Sequence, residues 1–179
     1  SSIISFWDAL WYSIVTLTTV GYGDFYPIST IGKLVGGIFV ISSMGLLLGL
    51  VSKVTEHFSM ISERKKMGYY GTDFEKHIIV LGWNNFGSGV VLQLVNAGNK
   101  VVIITDNKED IDKIYEKFSK DFVFVIYSDI KNIKSLEKAN VTSCHMVFIN
   151  LSNDADKLIT TLNIKKEYPD IEFLVTLDH

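Results

Sequence analysis

Hydrophobic residues fall along this chain in two contrasting patterns. Residues 34–52, LVGGIFVISSMGLLLGLVS, contain no charge. As a helix this run reaches roughly 28 Å at about 1.5 Å per residue, close to the ~30 Å hydrocarbon core of a bilayer. Its glycines and serines would be costly in water but suit helix contacts in lipid. It lies too far from the first residue, and lacks the cleavage pattern, for a secretory signal. Ahead of it, residues 6–18, FWDALWYSIVTLT, are apolar and aromatic but too few to span, which predicts a re-entrant helix. Residues 60–76 turn polar and are broken by Gly68 and Gly71, marking a domain boundary.

Beyond that boundary the pattern becomes short apolar runs separated by polar helical stretches. Residues 77–81, 100–105, 122–127, 145–149 and 171–176 are rich in β-branched side chains and bounded by turn residues, as buried parallel strands are. Between them, 86–97, 108–118, 133–139 and 154–168 read as helices. Asp106 or Asn107, Asn132 and Asn153 are the expected N-caps of the last three. Such strand–helix alternation predicts a Rossmann-like parallel sheet with right-handed crossovers.

Charge follows the same division. Residues 1–66 carry five basic and four acidic residues, net +1, and residues 67–179 carry twelve and sixteen, net −4. A domain this acidic has no basic stripe for nucleic acid. The single cysteine, Cys144, excludes a disulfide framework and a multi-cysteine metal site. Cys144 and His145 adjoin at a strand start, so their side chains point to opposite faces and cannot chelate one metal together; His57 and His77 are isolated and take no ligand role. Arg64, Lys65 and Lys66 follow the long apolar run, which puts its C-terminal end in the cytoplasm by the positive-inside rule.

The loop between the short helix and the long one is Thr16-Leu17-Thr18-Thr19-Val20-Gly21-Tyr22-Gly23-Asp24. Irregular backbone at membrane depth survives only where it lines a cavity or is buried in protein. Gly21 and Gly23 reach left-handed dihedrals at little cost, which lets successive carbonyls point the same way. This T-x-x-T-V-G-Y-G-D string resembles the potassium-channel selectivity filter. The resemblance implies that four such loops around an axis stack rings of carbonyl oxygens that replace the hydration shell of K⁺. The preceding DALWYSIVTLTT and the following YP…GKLVGG resemble that family's pore helix and inner-helix start.

The resemblance implies a filter over Thr19, Val20, Gly21, Tyr22 and Gly23, with the first four carbonyls and the Thr19 hydroxyl forming ion sites. It implies that the Tyr22 ring packs outward against Trp11 and Tyr12, and that the Trp11 indole N–H bonds Asp24. Read without the family, Trp11 and Tyr12 are equally interfacial-belt aromatics. Some relatives carry a pore-helix glutamate where Val15 stands here, so inactivation through a carboxyl pair behind the filter is not expected. Many place a hinge glycine where this chain has Ser43, and Gly45 or Gly49 then takes over the bending. The gating hinge is therefore expected at Ser43 and Gly45.

The first strand of the second part runs into Gly82-Trp83-Asn84-Asn85-Phe86-Gly87, the dinucleotide fingerprint with asparagine at its second glycine. Asp106 closes the second strand, where an acidic residue holds a ribose. Two explanations stay open: a nucleotide such as NAD or ADP bound by Gly82, Asn84, Gly87 and Asp106, or a glycine turn with a helix cap and no ligand. G-W-N-x-F-G after HIIVL, and S-D…L-E-K-A-N-V after the third strand, resemble the RCK (regulating conductance of K⁺) domain of potassium channels. In that family the domains form a cytoplasmic ring that senses a ligand and pulls on the inner helices. Calcium-gated relatives use carboxylates after strands three and four, which Asp129 and Asp154 match, with Ser152 where a glutamate would help. The Asn150 amide adds little to a shell that wants six or more oxygens, and both aspartates also suit turn and cap positions.

The expected architecture is thus an α-helical membrane pore followed by an α/β Rossmann-like domain with a parallel sheet. Residues 1–55 form the pore domain, 56–75 a linker and 76–179 the N-terminal part of an RCK domain. The family also implies an outer helix before Ser1 and a further strand and dimerising lobe after His179, so the sequence reads as a piece of a larger channel. The expected function is a homotetrameric K⁺-selective channel subunit in the cell membrane, surrounded by lipid, gated by its cytoplasmic domain. It is not expected to be an enzyme, because no catalytic domain follows the sheet. A regulatory NAD-binding subunit of a K⁺ transport system is the alternative, and it gives no reason for TVGYGD.

Overall fold

A computed structural model describes residues 5–176, which divide into two compact units on either side of the Met60–Ile61 bond. In the first unit, α1 runs Phe6–Leu17. Its start is fixed by a capping box: Asp8 N–H donates to Ser5 Oγ at 3.2 Å, and Ser5 N–H donates to Asp8 Oδ2 at 3.0 Å. The long helix α2, Thr30–Lys66, has 37 residues and an 18-residue window of mean hydropathy 2.3, long and apolar enough to cross a membrane. Large apolar side chains around it are exposed, among them Ile31, Ile41, Leu48 and Phe58. α2 is continuous through Ser43 and Gly45, and Ser43 Oγ donates back to Val40 O at 2.7 Å. Helix therefore extends to Lys66, through the first eleven residues of the stretch expected as linker; only 67–77 is non-helical before the first strand.

The second unit is a five-stranded parallel sheet in the order β3-β2-β1-β4-β5. The strands are β1 Ile78–Leu81, β2 Val101–Thr105, β3 Val123–Tyr127, β4 Met146–Ile149 and β5 Glu172–Val175. The helices are α3 Asn85–Asn96, α4 Lys108–Lys117, α5 Lys134–Lys138 and α6 Asp154–Glu167. Period-two alternation divides the core in two. Ile78, Val80, Val101, Ile103, Val123 and Val125 pack with Val91 of α3 and Ile111 and Ile114 of α4. Ile79, Leu81, Val102, Ile104, Val147 and Ile149 pack on the other side with Leu136, Ala139 and Ile164. Asn107 caps α4 through Glu109 N–H (3.1 Å) and Asn153 caps α6 through Ala155 N–H (2.8 Å). Asn132 bonds Lys134 N–H instead, one position ahead of the cap of α5.

Helix α6 inverts the usual pattern. Lys157, Thr160 and Ile164 face inward and are buried, while Leu158, Ile159 and Leu162 are exposed. Lys157 is compensated by Asp154, whose Oδ1 lies 2.8 Å from its Nζ. The order 3-2-1-4-5 reverses direction between β1 and β4, and in open α/β sheets ligands bind outside the carboxyl ends of strands at that reversal.

Candidate functional site

In the first unit the segment after α1 folds back on the helix end. Thr18 N–H donates to Ile14 O (2.9 Å), Thr19 N–H to Thr16 O (3.0 Å), and the N–H groups of Val20 and Gly21 both donate to Val15 O (3.0 and 3.2 Å). The last carbonyls of α1 are thereby satisfied. Backbone φ is then positive at every second residue: +61° at Thr19, +57° at Gly21 and +74° at Gly23, while Val20 and Tyr22 between them are not in that region. Glycine takes this conformation without steric penalty, but a β-branched threonine does not, and holding it there costs about 1–3 kcal/mol. Strain of this kind persists only where the surroundings impose it.

Two contacts of Trp11 fasten the loop. Its Nε1–H donates to Asp24 Oδ2 at 2.7 Å, and its indole stacks on the Tyr22 ring at 6.1 Å with planes 5° apart. Tyr12 instead lines an apolar groove with Pro27, Gly32, Val35, Gly36 and Phe39 at the start of α2. Val15 is buried, as is Ser43.

In the second unit a cleft of about 240 Å³ opens at the carboxyl ends of β1, β2, β3 and β4. Gly82, Asp106 and Asn150 lie on it, with Asp129, Lys131 and Asp156. Asp106 is presented by a braced turn. Thr105 Oγ1 donates to Asp110 Oδ2 (3.0 Å), Asn107 Nδ2 donates to Asp110 Oδ1 (3.2 Å), and Asn107 N–H donates to Thr105 Oγ1 (3.2 Å). Asp129 Oδ1 accepts from Lys131 N–H at 2.9 Å, and the Lys131 ammonium reaches Asp156 at 2.8 Å. That hydrogen bond and charge, with Asp129 nearby, hold the Lys131 pKa above its ordinary value.

The fingerprint glycines meet Asn150 from two sides. Gly82 has φ +88°, and a Cβ there would lie 2.6 Å from Asn150 O; a Cβ at Gly87 would collide with Asn150 Nδ2. Asn84, at the second glycine position, is the N-cap of α3, its Oδ1 accepting from Gly87 N–H at 2.8 Å. It is also paired with Asn150 in both directions, Asn150 Nδ2 to Asn84 Oδ1 at 2.9 Å and Asn84 Nδ2 to Asn150 Oδ1 at 3.3 Å. A polar residue just before a helix carries the cap signature in sequence; a partner 66 residues away carries none.

Of the expected cation residues, Asp129 lies on the cleft and Asp154 does not line it; Asp156, one helical step on, does. Asp154 is engaged by Lys157, and among the described residues no three His, Cys, Asp or Glu side chains come together as metal ligands. Lys131 and Asp156 were not among the expected site residues, because an ion pair between a loop and the first turn of a helix 25 residues on has no local sequence pattern. Burial pushes the half-buried Cys144 thiol up to about 11. His77 is fully buried, its Nε2 2.8 Å from Ala139 O, and burial holds its pKa below the ordinary value.

A family model described as the TrkA-N domain matches residues 78–178, and one described as an ion channel matches residues 1–60. Among curated relatives, "Probable potassium channel protein 2" of Methanocaldococcus jannaschii is 26% identical over 94% of this chain and 50% of its own length. "Calcium-gated potassium channel TvoK" of Thermoplasma volcanium is 24% identical over 97% of this chain and 51% of its own. The chain thus spans about half the length of these relatives. A solved structure of the GsuK channel bound to ADP superposes with a TM-score of 0.54 at 21% identity, covering 98% of this chain and 47% of that one. At that identity the likeness establishes the fold, an apolar helical segment followed by a Rossmann-like domain.

Proposed function

Because the chain belongs to the TrkA-N domain family through residues 78–178, we propose that it is one subunit of a homotetrameric K⁺-selective channel, gated by a nucleotide in its α/β unit. The carrying observation is the alternation of left-handed dihedrals at Thr19, Gly21 and Gly23. A strand alternating in this way turns successive carbonyls toward one side, and four copies around an axis supply rings of oxygens in place of water around K⁺. In this reading one chain supplies one quarter of each ring, and the functional unit is a tetramer. Thr19, Val20, Gly21 and Tyr22 are the ion-site residues in this reading; Trp11 and Asp24 hold the loop's width, and Ser43 and Gly45 give the inner helix its bend.

The apolar surface of α2 and the basic Arg64, Lys65 and Lys66 at its end support a cell-membrane location with the α/β unit in the cytoplasm. The exposed Leu158, Ile159 and Leu162 on α6 support a ring of such units, since apolar residues in a row on an outer helix face favour a protein partner. For the ligand, Asp106 suits a ribose diol, and its place at the reversal of strand order is where nucleotides bind in such sheets. A regulatory subunit of a K⁺ transporter would use the same α/β unit, but α2 and the TVGYGD loop favour the channel.

Reconstituted protein in liposomes tests the reading. A K⁺ gradient should drive flux that a Na⁺ gradient does not, and equal permeability sinks the channel. ADP or NAD⁺ should change the K⁺ flux in wild type and not in Asp106→Ala. If instead only Ca²⁺ acts, and Asp129→Asn removes its effect, the cleft holds a cation.

A further inference from the structure

The cleft stops short of the helix that nucleotide-binding sheets use for phosphate. It is bordered by Gly82 and Trp83 but by no residue of α3. In dinucleotide-binding folds the pyrophosphate sits at the N-terminus of this helix, its oxygens accepting from free backbone N–H groups. Here Asn84 Oδ1 takes that role, accepting from Gly87 N–H at 2.8 Å and from Asn150 Nδ2 at 2.9 Å. Asn84 Nδ2 returns a bond to Asn150 Oδ1 at 3.3 Å, closing a ring of amides. Asn150 is buried and Asn84 exposed, so Asn84 is the group an incoming phosphate meets first.

We propose that the Asn84–Asn150 pair is a specificity latch: it fills the phosphate seat of α3, so the cleft recognises the nucleoside end of its ligand and draws no affinity from the phosphates. The inference rests on the nucleotide reading above. A phosphate oxygen reaching Gly87 N–H must displace the Asn84 carboxamide and break all three hydrogen bonds of the ring, which offsets what the new bonds supply. Hydrogen bonds to a charged group, once the seat is open, are worth a factor of about ten or more in affinity. A cleft of about 240 Å³ agrees with a nucleoside-sized ligand, being below the ~300–1,000 Å³ usual for larger small-molecule sites.

Calorimetric titration of the reconstituted full chain with adenosine and with ADP tests this. Wild type should bind the two within about threefold of each other. Asn84→Gly, which restores the second fingerprint glycine, should tighten ADP by about tenfold or more and leave adenosine unchanged. Asn150→Ala removes two of the three bonds that hold the Asn84 carboxamide over Gly87 N–H, which makes it easier to displace, so the ADP-to-adenosine affinity ratio should rise in the same direction, by less than in Asn84→Gly, even if Asn84→Gly folds poorly. ADP binding wild type more than tenfold tighter than adenosine, or an ADP-to-adenosine ratio unmoved by both variants, overturns the latch and leaves the nucleotide site standing. Absence of binding by either ligand to all three proteins overturns both.

Discussion

Gly68→Ala measures how firmly the end of α2 is held by the α/β unit. Gly68 is buried immediately after α2, with φ +68°, and a Cβ there would collide with Val125 O and lie 3.0 Å from Ile126 Cα. Both neighbours are β3 backbone, which cannot swing aside as a side chain would. The preceding residue supplies a ladder-like bond, Tyr127 N–H donating to Met67 O at 2.9 Å. Forcing an alanine into the left-handed region costs about 1–2 kcal/mol, and losing the Met67 bond as the segment backs off costs about 0.5–1.5 kcal/mol. Together this is about 1.5–3.5 kcal/mol, a large share of the 5–15 kcal/mol that stabilises a typical domain. Hydrogen exchange on the reconstituted protein is the direct assay. The Tyr127 amide should lose protection by a factor of about ten or more, while β1 and β4 amides change less. Wild-type protection at Tyr127 in the variant would refute the packing argument, since neither the dihedral nor the collision could then be real.

Four further outcomes are expected. Trp11→Phe keeps the stack on Tyr22 but removes the 2.7 Å bond to Asp24, a loss of about 1.5–3 kcal/mol for a carboxylate acceptor; reversal potentials should show reduced K⁺ over Na⁺ selectivity, and an unchanged ratio counts against a role for Trp11. Gly45→Ala meets nothing within 4 Å and favours straight helix by about 1 kcal/mol, so if α2 bends there, ligand-evoked flux should fall about fivefold; equal flux moves the hinge elsewhere. Burial sets the His77 pKa below its unfolded value of about 6.5. The folded unit then binds fewer protons, so stability is complete above about pH 6.5 and falls as pH drops below it, by up to about 1.4 kcal/mol per unit. Urea midpoints at pH 7 and 5.5 should differ in wild type and converge in His77→Gln. Cys144, pushed up to about 11, should alkylate at pH 7 about 300-fold more slowly than a free thiol of pKa near 8.5, and labelling at the free-thiol rate would show the site open.

The central strands were legible because their side chains are buried on both faces of a parallel sheet, so each reads as an unbroken apolar run. Ile78–Leu81 and Val101–Thr105 are buried at every position, and their expected bounds differ from the observed by one residue. That helix continues into residues 56–66 was not legible, for the opposite reason. Residues 56–66 carry only Phe58, Met60 and Ile61 among charged and polar side chains, and with the glycine-broken stretch after them they signal a boundary in sequence. In the structure α2 nevertheless runs to Lys66. Its last turns are steadied by ion pairs of Glu63 with Lys108 and of Lys66 with Asp112, both partners lying on α4. Those partners are more than forty residues away, and no local pattern announces them.

The two sites differ in legibility because they are built from different materials. In the loop after α1 the alternating dihedrals belong to the backbone, and the glycines at 21 and 23 mark two of the three left-handed positions directly in the sequence. A six-residue string is then enough to expect the conformation. The cleft is assembled from four strand ends, and what each contributes depends on what the others bring. Asn84 alone reads equally as a damaged phosphate loop and as a helix cap. The Asn150 amide, buried at the end of β4 and bonded to Asn84 twice, lies 66 residues away and leaves no local mark in the sequence. The same logic moves the acidic group from Asp154 to Asp156. A helix turns 100° per residue, so a two-residue step swings a carboxylate from the Lys157 pair to the cleft rim, facing Lys131. Sequence spacing identifies which loops converge on such a site. The face each side chain presents is settled by packing, and that is where the functional identity of the cleft resides.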